Sequence, residues 1–246
     1  FEGPWAPGQP DARAIEPDWR PWLQALFPST FTAPLASYHE ELWEWLWRVP
    51  AVGPGPDGHN TYVAIWGRGF GKSTMLEVGA IALPAHSRRR YGWYISSKQA
   101  QADDHVGSIA AKLREIGAHY PELAAAKVEY VGAVGAGRGR QLAWRRNRIW
   151  TEDGFTIDAL GLDVAVRGAK LGDNRPDFMI FDDVDEELDA EGTIERKVVA
   201  ITRRLIPAAA PGCIFLVGQN LVHANGIVSR LMDGRATYLG SRTVSG

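Results

Sequence analysis

The sequence predicts an α/β domain with a mostly parallel sheet flanked by helices. Three observations carry that prediction. From residue 62 onward, short apolar runs rich in β-formers alternate with helix-spaced segments, the rhythm of strand–helix–strand units. A glycine-rich segment joins the first such strand to the first such helix. A third apolar run ends abruptly in two aspartates. The 246 residues are 45% apolar and 23% charged, enough to bury a core and too apolar for a disordered chain. No run reaches the roughly 18 apolar residues of a membrane span. The lone Cys213 excludes an internal disulfide and a cysteine-built zinc site, and fits a reducing compartment. The net charge of −2 gives no global sign of a nucleic-acid partner. The chain begins at Phe1 without a signal-peptide pattern, so it is expected to be a piece of a longer protein.

The elements follow in order. Seven prolines in residues 1–34 predict an extended arm with short turns, pinned by Trp5, Trp19, Trp22 and Phe27. Leu35, Tyr38, Leu42, Trp45, Leu46 and Val49 recur at helical spacing, which predicts a helix over 36–49 ended by Pro50. Arm and helix, residues 1–50, are expected to belong to the same domain as 51–246. Trp43, Trp45 and Trp47 cannot share one helix face, so at least one is expected to be exposed or covered by the arm. Strands are expected at 62–66, 91–95, 178–181 and 213–217, with a fifth at 236–239. Helices are expected at 72–83, 98–116, 193–206 and 226–232, and short strands and hairpins over 127–165, with Arg145-Arg146-Asn147 at a turn.

The sharpest motif is Trp66-Gly67-Arg68-Gly69-Phe70-Gly71-Lys72-Ser73-Thr74, between a predicted strand and a predicted helix. Glycines let backbone N–H groups turn toward phosphate oxygens, and the following helix N-terminus adds partial positive charge. Lys72 would reach the β- and γ-phosphates, and Ser73 would place its hydroxyl on Mg²⁺. The pattern G-x-x-x-x-G-K-[ST] is met except at its first glycine, where Trp66 stands.

Phe178-Met179-Ile180-Phe181 runs into Asp182-Asp183. Phosphoryl transfer needs a Mg²⁺-holding carboxylate at a strand end beside the phosphate loop, and Asp182 fits. Asp183 fits a second carboxylate that positions or deprotonates the attacking water, with Glu186 and Glu187 as further candidates. The rest of the acidic run, Asp185 to Glu191, reads as a solvated loop and helix start.

These stretches, in this order, resemble the large terminase subunit of tailed bacteriophages, the ATPase that packages DNA into empty capsids. Arg68 in the loop is similar to the arginine of terminase phosphate loops. Arg175-Pro176-Asp177 before the acidic strand, Val166-Arg167-Gly168, Ile95-Ser96-Ser97-Lys98-Gln99-Ala100 and Phe215-Leu216-Val217-Gly218-Gln219-Asn220 with His223 and Gly226 match further family elements. The likeness covers roughly residues 30–240. It implies a RecA/ASCE-like P-loop NTPase with ATP bound by residues 67–74 and Mg²⁺ held by Ser73 and Asp182. It implies γ-phosphate sensing by Arg68, Asp183 as catalytic acid, and Arg167 as an arginine finger acting across a subunit boundary, the other reading of Arg167 being a structural ion pair. His39 lies where the family carries an adenine-binding element, and is otherwise a helix-surface histidine. Gln219 and Asn220 occupy the coupling segment, where they could bond the γ-phosphate or the attacking water.

The resemblance further implies double-stranded DNA as partner and self-association into a ring on the capsid portal. A portal protein, a small terminase subunit, no membrane and the bacterial host cytoplasm complete that expectation. The family's nuclease domain is not expected in this chain. Five arginines, Arg138, Arg140, Arg145, Arg146 and Arg148, lie within eleven residues free of acids and beside Trp144 and Trp150. They read equally as a DNA contact or as an exposed basic hairpin. Arg88-Arg89-Arg90 and Arg203-Arg204 are smaller basic groups. Two other functions compete: a helicase-like DNA-dependent ATPase, and a nucleotide-binding assembly module that does not hydrolyse.

Overall fold

The structure, a computed structural model, describes residues 18–125, 127–130, 139–142, 145–164, 174–236, 239 and 242–245. In chain order the elements are α1 (Trp19–Leu26), α2 (Ser37–Trp47), β1 (Thr61–Ile65), α3 (Lys72–Ala85), β2 (Tyr91–Ser96) and α4 (Gln99–Glu115). Then come β3 (Lys127–Tyr130), β4 (Gly139–Leu142), β5 (Arg148–Trp150), β6 (Thr156–Gly161), β7 (Phe178–Asp182) and α5 (Glu191–Ala200). The chain ends with α6 (Ile206–Ala208), β8 (Ile214–Gln219), α7 (Ile227–Met232) and β9 (Arg242–Ser245). A π-helical turn, Ile201–Leu205, joins α5 to α6 within the stretch expected as one helix.

Seven strands form one sheet in the order β5-β6-β2-β7-β8-β1-β9. Only β5 runs antiparallel to its neighbour; the other pairings are parallel. The strand that leads into the glycine loop, β1, is therefore separated from the acidic strand β7 by β8. β3 and β4 form a separate antiparallel pair, and Arg146-Asn147 make the turn before β5, closed by Arg145 N–H on the Arg148 carbonyl at 2.7 Å.

Both faces of the sheet are covered, so the inner strands are buried at every position. Pleating divides the side chains between the two faces. Tyr62, Ala64, Tyr94, Phe178, Ile180 and Leu216 pack toward α1–α4. Val63, Ile65, Ile95, Met179, Phe181 and Val217 pack toward α5 and α7. By that parity Asp182 points to the α3–α4 side. α3 is apolar nearly all round, which suits its burial against the sheet.

Two expectations are corrected. Residues 19–26 are helical, not extended: Asp18 caps the helix by accepting the Arg20 N–H, and Pro21 sits in the first turn, where no N–H is needed. The last strand is at 242–245 rather than 236–239; Ala236 and Leu239 lie outside any strand. The arm over residues 1–17 falls outside the described residues. The tryptophans are packed as expected, by α1: Trp22 lies 6.1 Å from Trp43 and 5.3 Å from Trp47. No helix among the described residues is long and apolar enough to cross a membrane.

Arg89 holds the far end of the sheet. It is buried, and its guanidinium donates to the carbonyls of Pro50, Gly53, Asp177 and Gly212 at 3.0–3.3 Å. Replacing it removes the partner of four part-buried carbonyls at once. Arg89→Met is expected to lower unfolding stability by about 3 kcal/mol, measured as a shift of the urea midpoint at unchanged slope. An unshifted midpoint would refute this anchoring role.

Candidate functional site

Three parallel strands end at one level, and their carboxyl ends supply the site, the usual place for a ligand in an open α/β sheet. β1 runs into the glycine loop, β7 into Asp182 and Asp183, and β8 into Gln219 and Asn220. The loop, Asp183, Glu186, Glu187, Gln219 and Asn220 line a cavity of about 430 Å³.

Gly69 and Gly71 have φ of +82° and +76°, values that need glycine. Gly71 is the N-cap of α3, so Lys72 and Ser73 open that helix. Lys72 is buried, and its ammonium donates to the carbonyls of Trp66 and Gly67 at 3.1 Å and to Asn220 Oδ1. Burial lowers its pKa, while the charges of Asp183 and Asp182 pull it back up. Arg68 is exposed and lines the cavity. His39 supports the loop from α2. Its Nδ1 accepts the Ala36 N–H, so Nε2 carries the proton and donates to the Phe70 carbonyl at 2.9 Å. Its ring packs on Trp66, and Tyr38 stacks on Phe70.

Asp182 is fully buried. Burial pushes its pKa up to about 6, against the opposing pull of His105 and Tyr94; Ser73 is also close enough to favour its ionised form. Tyr94 donates to Oδ2 at 2.7 Å. Oδ1 has no hydrogen-bond partner among the described residues, nor does Oδ1 of Asp183. Orphaned buried carboxylate oxygens beside a hydroxyl form a set a small hard cation accepts, and Mg²⁺ takes one or two carboxylates plus substrate phosphates. No cluster of three or more potential metal-binding His, Cys, Asp or Glu occurs among the described residues. Asp183 has φ of +48°, a left-handed geometry that costs roughly 1–2 kcal/mol. It turns the chain away from the strand line, so that Asp183 lines the cavity.

The acidic run is not a solvated loop throughout. Asp185 is buried and accepts the N–H groups of Ile227 and Val228 at the start of α7, at 2.8 and 3.0 Å. Lys197, also buried, donates to the Val184 carbonyl, Ser97 Oγ and Asp189. Glu186 accepts from Ser97 Oγ at 2.8 Å and pairs with Lys98 at 3.1 Å. These bonds hold its pKa low. Gln219 is buried with both amide atoms engaged on the Asp185 backbone, at 3.1 and 3.2 Å.

The basic cluster is partly spoken for. Arg148 makes a two-bond ion pair with Asp158, and Arg146 lies 3.5 Å from Asp103 and from Asp104. Arg89 is buried and Arg90 pairs with Asp153, so neither is a free basic surface. Arg138 and Trp144 fall outside the described residues, as does the proposed finger Arg167.

Sequence reasoning missed Tyr94, Glu77 and His105 around Asp182, and Gln101, which lines the cavity from α4. Glu77 did leave a signal, as the only charged residue of α3 beyond its first turn.

No family model matches the sequence, and no curated protein matches it. Solved structures do. The ATPase domain of the large terminase of Thermus phage P74-26, in a point-mutant form, matches with a TM-score of 0.53 at 14% identity, over 89% of this chain and 84% of that chain. A structure of Saccharomyces cerevisiae Dbp5 bound to Nup159, Gle1, IP6 and ADP matches with a TM-score of 0.51 at 11% identity, over 91% of this chain and 51% of that chain. At such identities the likeness establishes the fold alone, a mostly parallel α/β sheet flanked by helices of the kind those ATPase domains share.

Because Gln219 is committed to Asp185, its loss should act on stability. Gln219→Ala is expected to lower stability by about 1–2 kcal/mol and to leave nucleotide affinity, measured by calorimetry, within about threefold. A tenfold or larger loss of affinity at native stability would show instead that Gln219 touches the nucleotide.

Proposed function

We propose that the chain is the ATPase domain of a viral DNA-packaging motor of the terminase large-subunit kind, hydrolysing ATP with Mg²⁺. One observation carries the reading. Lys72 and Ser73 at the head of α3, Asp183 just past the end of β7 and Asn220 just past the end of β8 line one cavity at a helix N-terminus, with the buried Asp182 close to Ser73. The order of motifs shared with terminases favours packaging over a helicase-like ATPase, while the two folds match this chain about equally, with TM-scores of 0.53 and 0.51.

In this reading residues 67–74 hold the phosphates of ATP, and Lys72 transfers its hydrogen bonds from the loop carbonyls to phosphate oxygens. Ser73 and Asp182 would hold Mg²⁺, which neutralises charge on the β- and γ-phosphates when bound. Asp183 orients a water in line with the γ-phosphorus and takes its proton as the O–P bond forms. The bond from phosphorus to the bridging oxygen breaks, and ADP leaves with that electron pair. Glu186, tied to Ser97 and Lys98, and Glu187, at the cavity edge, are placed to hold the acidic loop and to face solvent respectively. Arg68 reads the γ-phosphate, and Arg167 serves a neighbouring subunit's site as the finger. His39 shapes the loop from beneath the adenine side.

Asn220 contacts Lys72, and Gln219 is bonded to Asp185, which caps α7. Loss of the γ-phosphate thus has a bonded route to α7, an element suited to move a DNA-gripping surface. Double-stranded DNA, a ring of identical subunits on the portal, the small terminase subunit and the bacterial host cytoplasm belong to the same proposal.

Phosphate release by the native chain, with DNA and in its oligomeric form, is the test. Asp183→Asn is expected to lower turnover about 10²–10⁴-fold while ATP still binds, and Lys72→Ala is expected to abolish it. Arg167→Ala should cost DNA-stimulated turnover in the assembled ring. Native protein that binds ATP tightly yet releases no phosphate would instead support the non-hydrolysing assembly module.

A further inference from the structure

Beneath Asp182 lies a buried polar chain that the catalytic reading does not use. His105 of α4 sits between two carboxylates. Its Nδ1 is 2.8 Å from Glu77 Oε1, and its Nε2 is 3.5 Å from Asp182 Oδ2. Its ring stacks on Tyr94 with centroids 5.0 Å apart. Tyr94 donates to that same Oδ2 at 2.7 Å. Glu77 is fixed in turn: its other oxygen accepts from Ser108 Oγ at 2.6 Å and from Lys112 Nζ at 2.7 Å.

Four elements are therefore linked, three of them at the Asp182 carboxylate and the fourth through His105. β7 supplies Asp182, β2 supplies Tyr94, α4 supplies His105, and α3 supplies Glu77. α3 is also the helix that opens with Lys72 and Ser73. The 2.8 Å contact to Glu77 and the stacking on Tyr94 hold the imidazole with its Nε2 facing Asp182. The Tyr94 hydrogen bond and the His105 Nε2 only 3.5 Å away both engage Oδ2, which leaves Oδ1 as the oxygen of Asp182 without a partner among the described residues. The cross-tie through Glu77 also fixes how far the start of α3 stands from the end of β7.

We propose that His105, held by Glu77, is a positioning residue that orients Asp182 for one-oxygen metal binding beside Ser73. The inference rests on the reading of the cavity as a metal–nucleotide site. A purely structural buried ion network would predict the same contacts, so the test must separate metal affinity from folding. Partners that orient a metal ligand affect affinity by about 10–100-fold when removed.

Mn²⁺ serves as a spin probe for the metal. Its affinity is measured with ADP present, by the resonance of free Mn²⁺; ADP affinity in EDTA is measured by calorimetry, and thermal melting reports folding. His105→Ala is expected to weaken Mn²⁺ binding by about tenfold or more, with ADP affinity in EDTA unchanged. His105→Gln, which keeps a donor toward Asp182, is expected to recover part of the loss and carries the test if the alanine variant does not fold. Glu77→Gln should weaken Mn²⁺ binding in the same direction. Native Mn²⁺ affinity in a folded His105 variant overturns the proposal. So does an equal loss of ADP binding with and without metal, which marks a structural residue. A native chain that binds no ADP under either condition overturns the nucleotide reading itself, and this inference with it.

Discussion

Asp182 ends β7 with no solvent exposure, and a carboxylate so placed must be held by its surroundings. The alternation of the pleat decides which surroundings those are. Asp182 shares a face with Phe178 and Ile180, so it looks toward α3 and α4 rather than toward α5. The sheet order then decides its distance from the loop. β8 stands between β1 and β7 and pairs Gly218 with Asp182. A Cβ at Gly218 would come within 2.6 Å of Leu76 Cδ1 on α3. Glycine at that one position lets α3 lie down on β8, and this brings Ser73 at the head of α3 toward Asp182.

The loop that follows is held just as firmly, for a different reason. Asp183 leaves the strand in a left-handed conformation, and its amide donates to the Gly218 carbonyl at 3.1 Å. Beyond it, Asp185 is anchored on α7 and on Gln219, while Lys197 gathers Val184, Ser97 and Asp189. A run of acids would repel itself in solution. Here several are held individually by helix N–H groups or by lysines, so the run can stay folded around the cavity beside Lys72.

Much of this was legible before any coordinates, and the boundary has a physical cause. Strands buried on both faces read as unbroken apolar runs, so residues 62–66, 91–95, 178–181 and 213–217 stood out. The glycine loop and the aspartate pair were visible because each is a local motif with its chemistry packed into a few residues. α1 was hidden by proline density, although Pro21 falls where a helix tolerates it. Tyr94, Glu77 and His105 were hidden more deeply. They lie on β2, α3 and α4, and no spacing within one element announces that three elements converge on Asp182. The arginines near 145 show the same limit: Arg146 meets acids some forty residues back in the chain, a pairing that the local sequence does not announce.

Arg89 and the aromatic layer belong to the same physical problem. A buried charge at Asp182 and a left-handed Asp183 both work against folding, as strained and charged functional sites do. The opposing contributions come from places without catalytic duties. Arg89 knits four carbonyls at the opposite end of the sheet. Trp19, Trp22 and Trp43 pack α1 on α2, and Trp43 Nε1 reaches Met75 Sδ on α3 at 3.3 Å. From that same layer His39 bonds the carbonyl of Phe70 in the glycine loop. The tryptophans, which in sequence look like an excess with no chemistry attached, thus brace the helix and loop that bear Lys72 and Ser73.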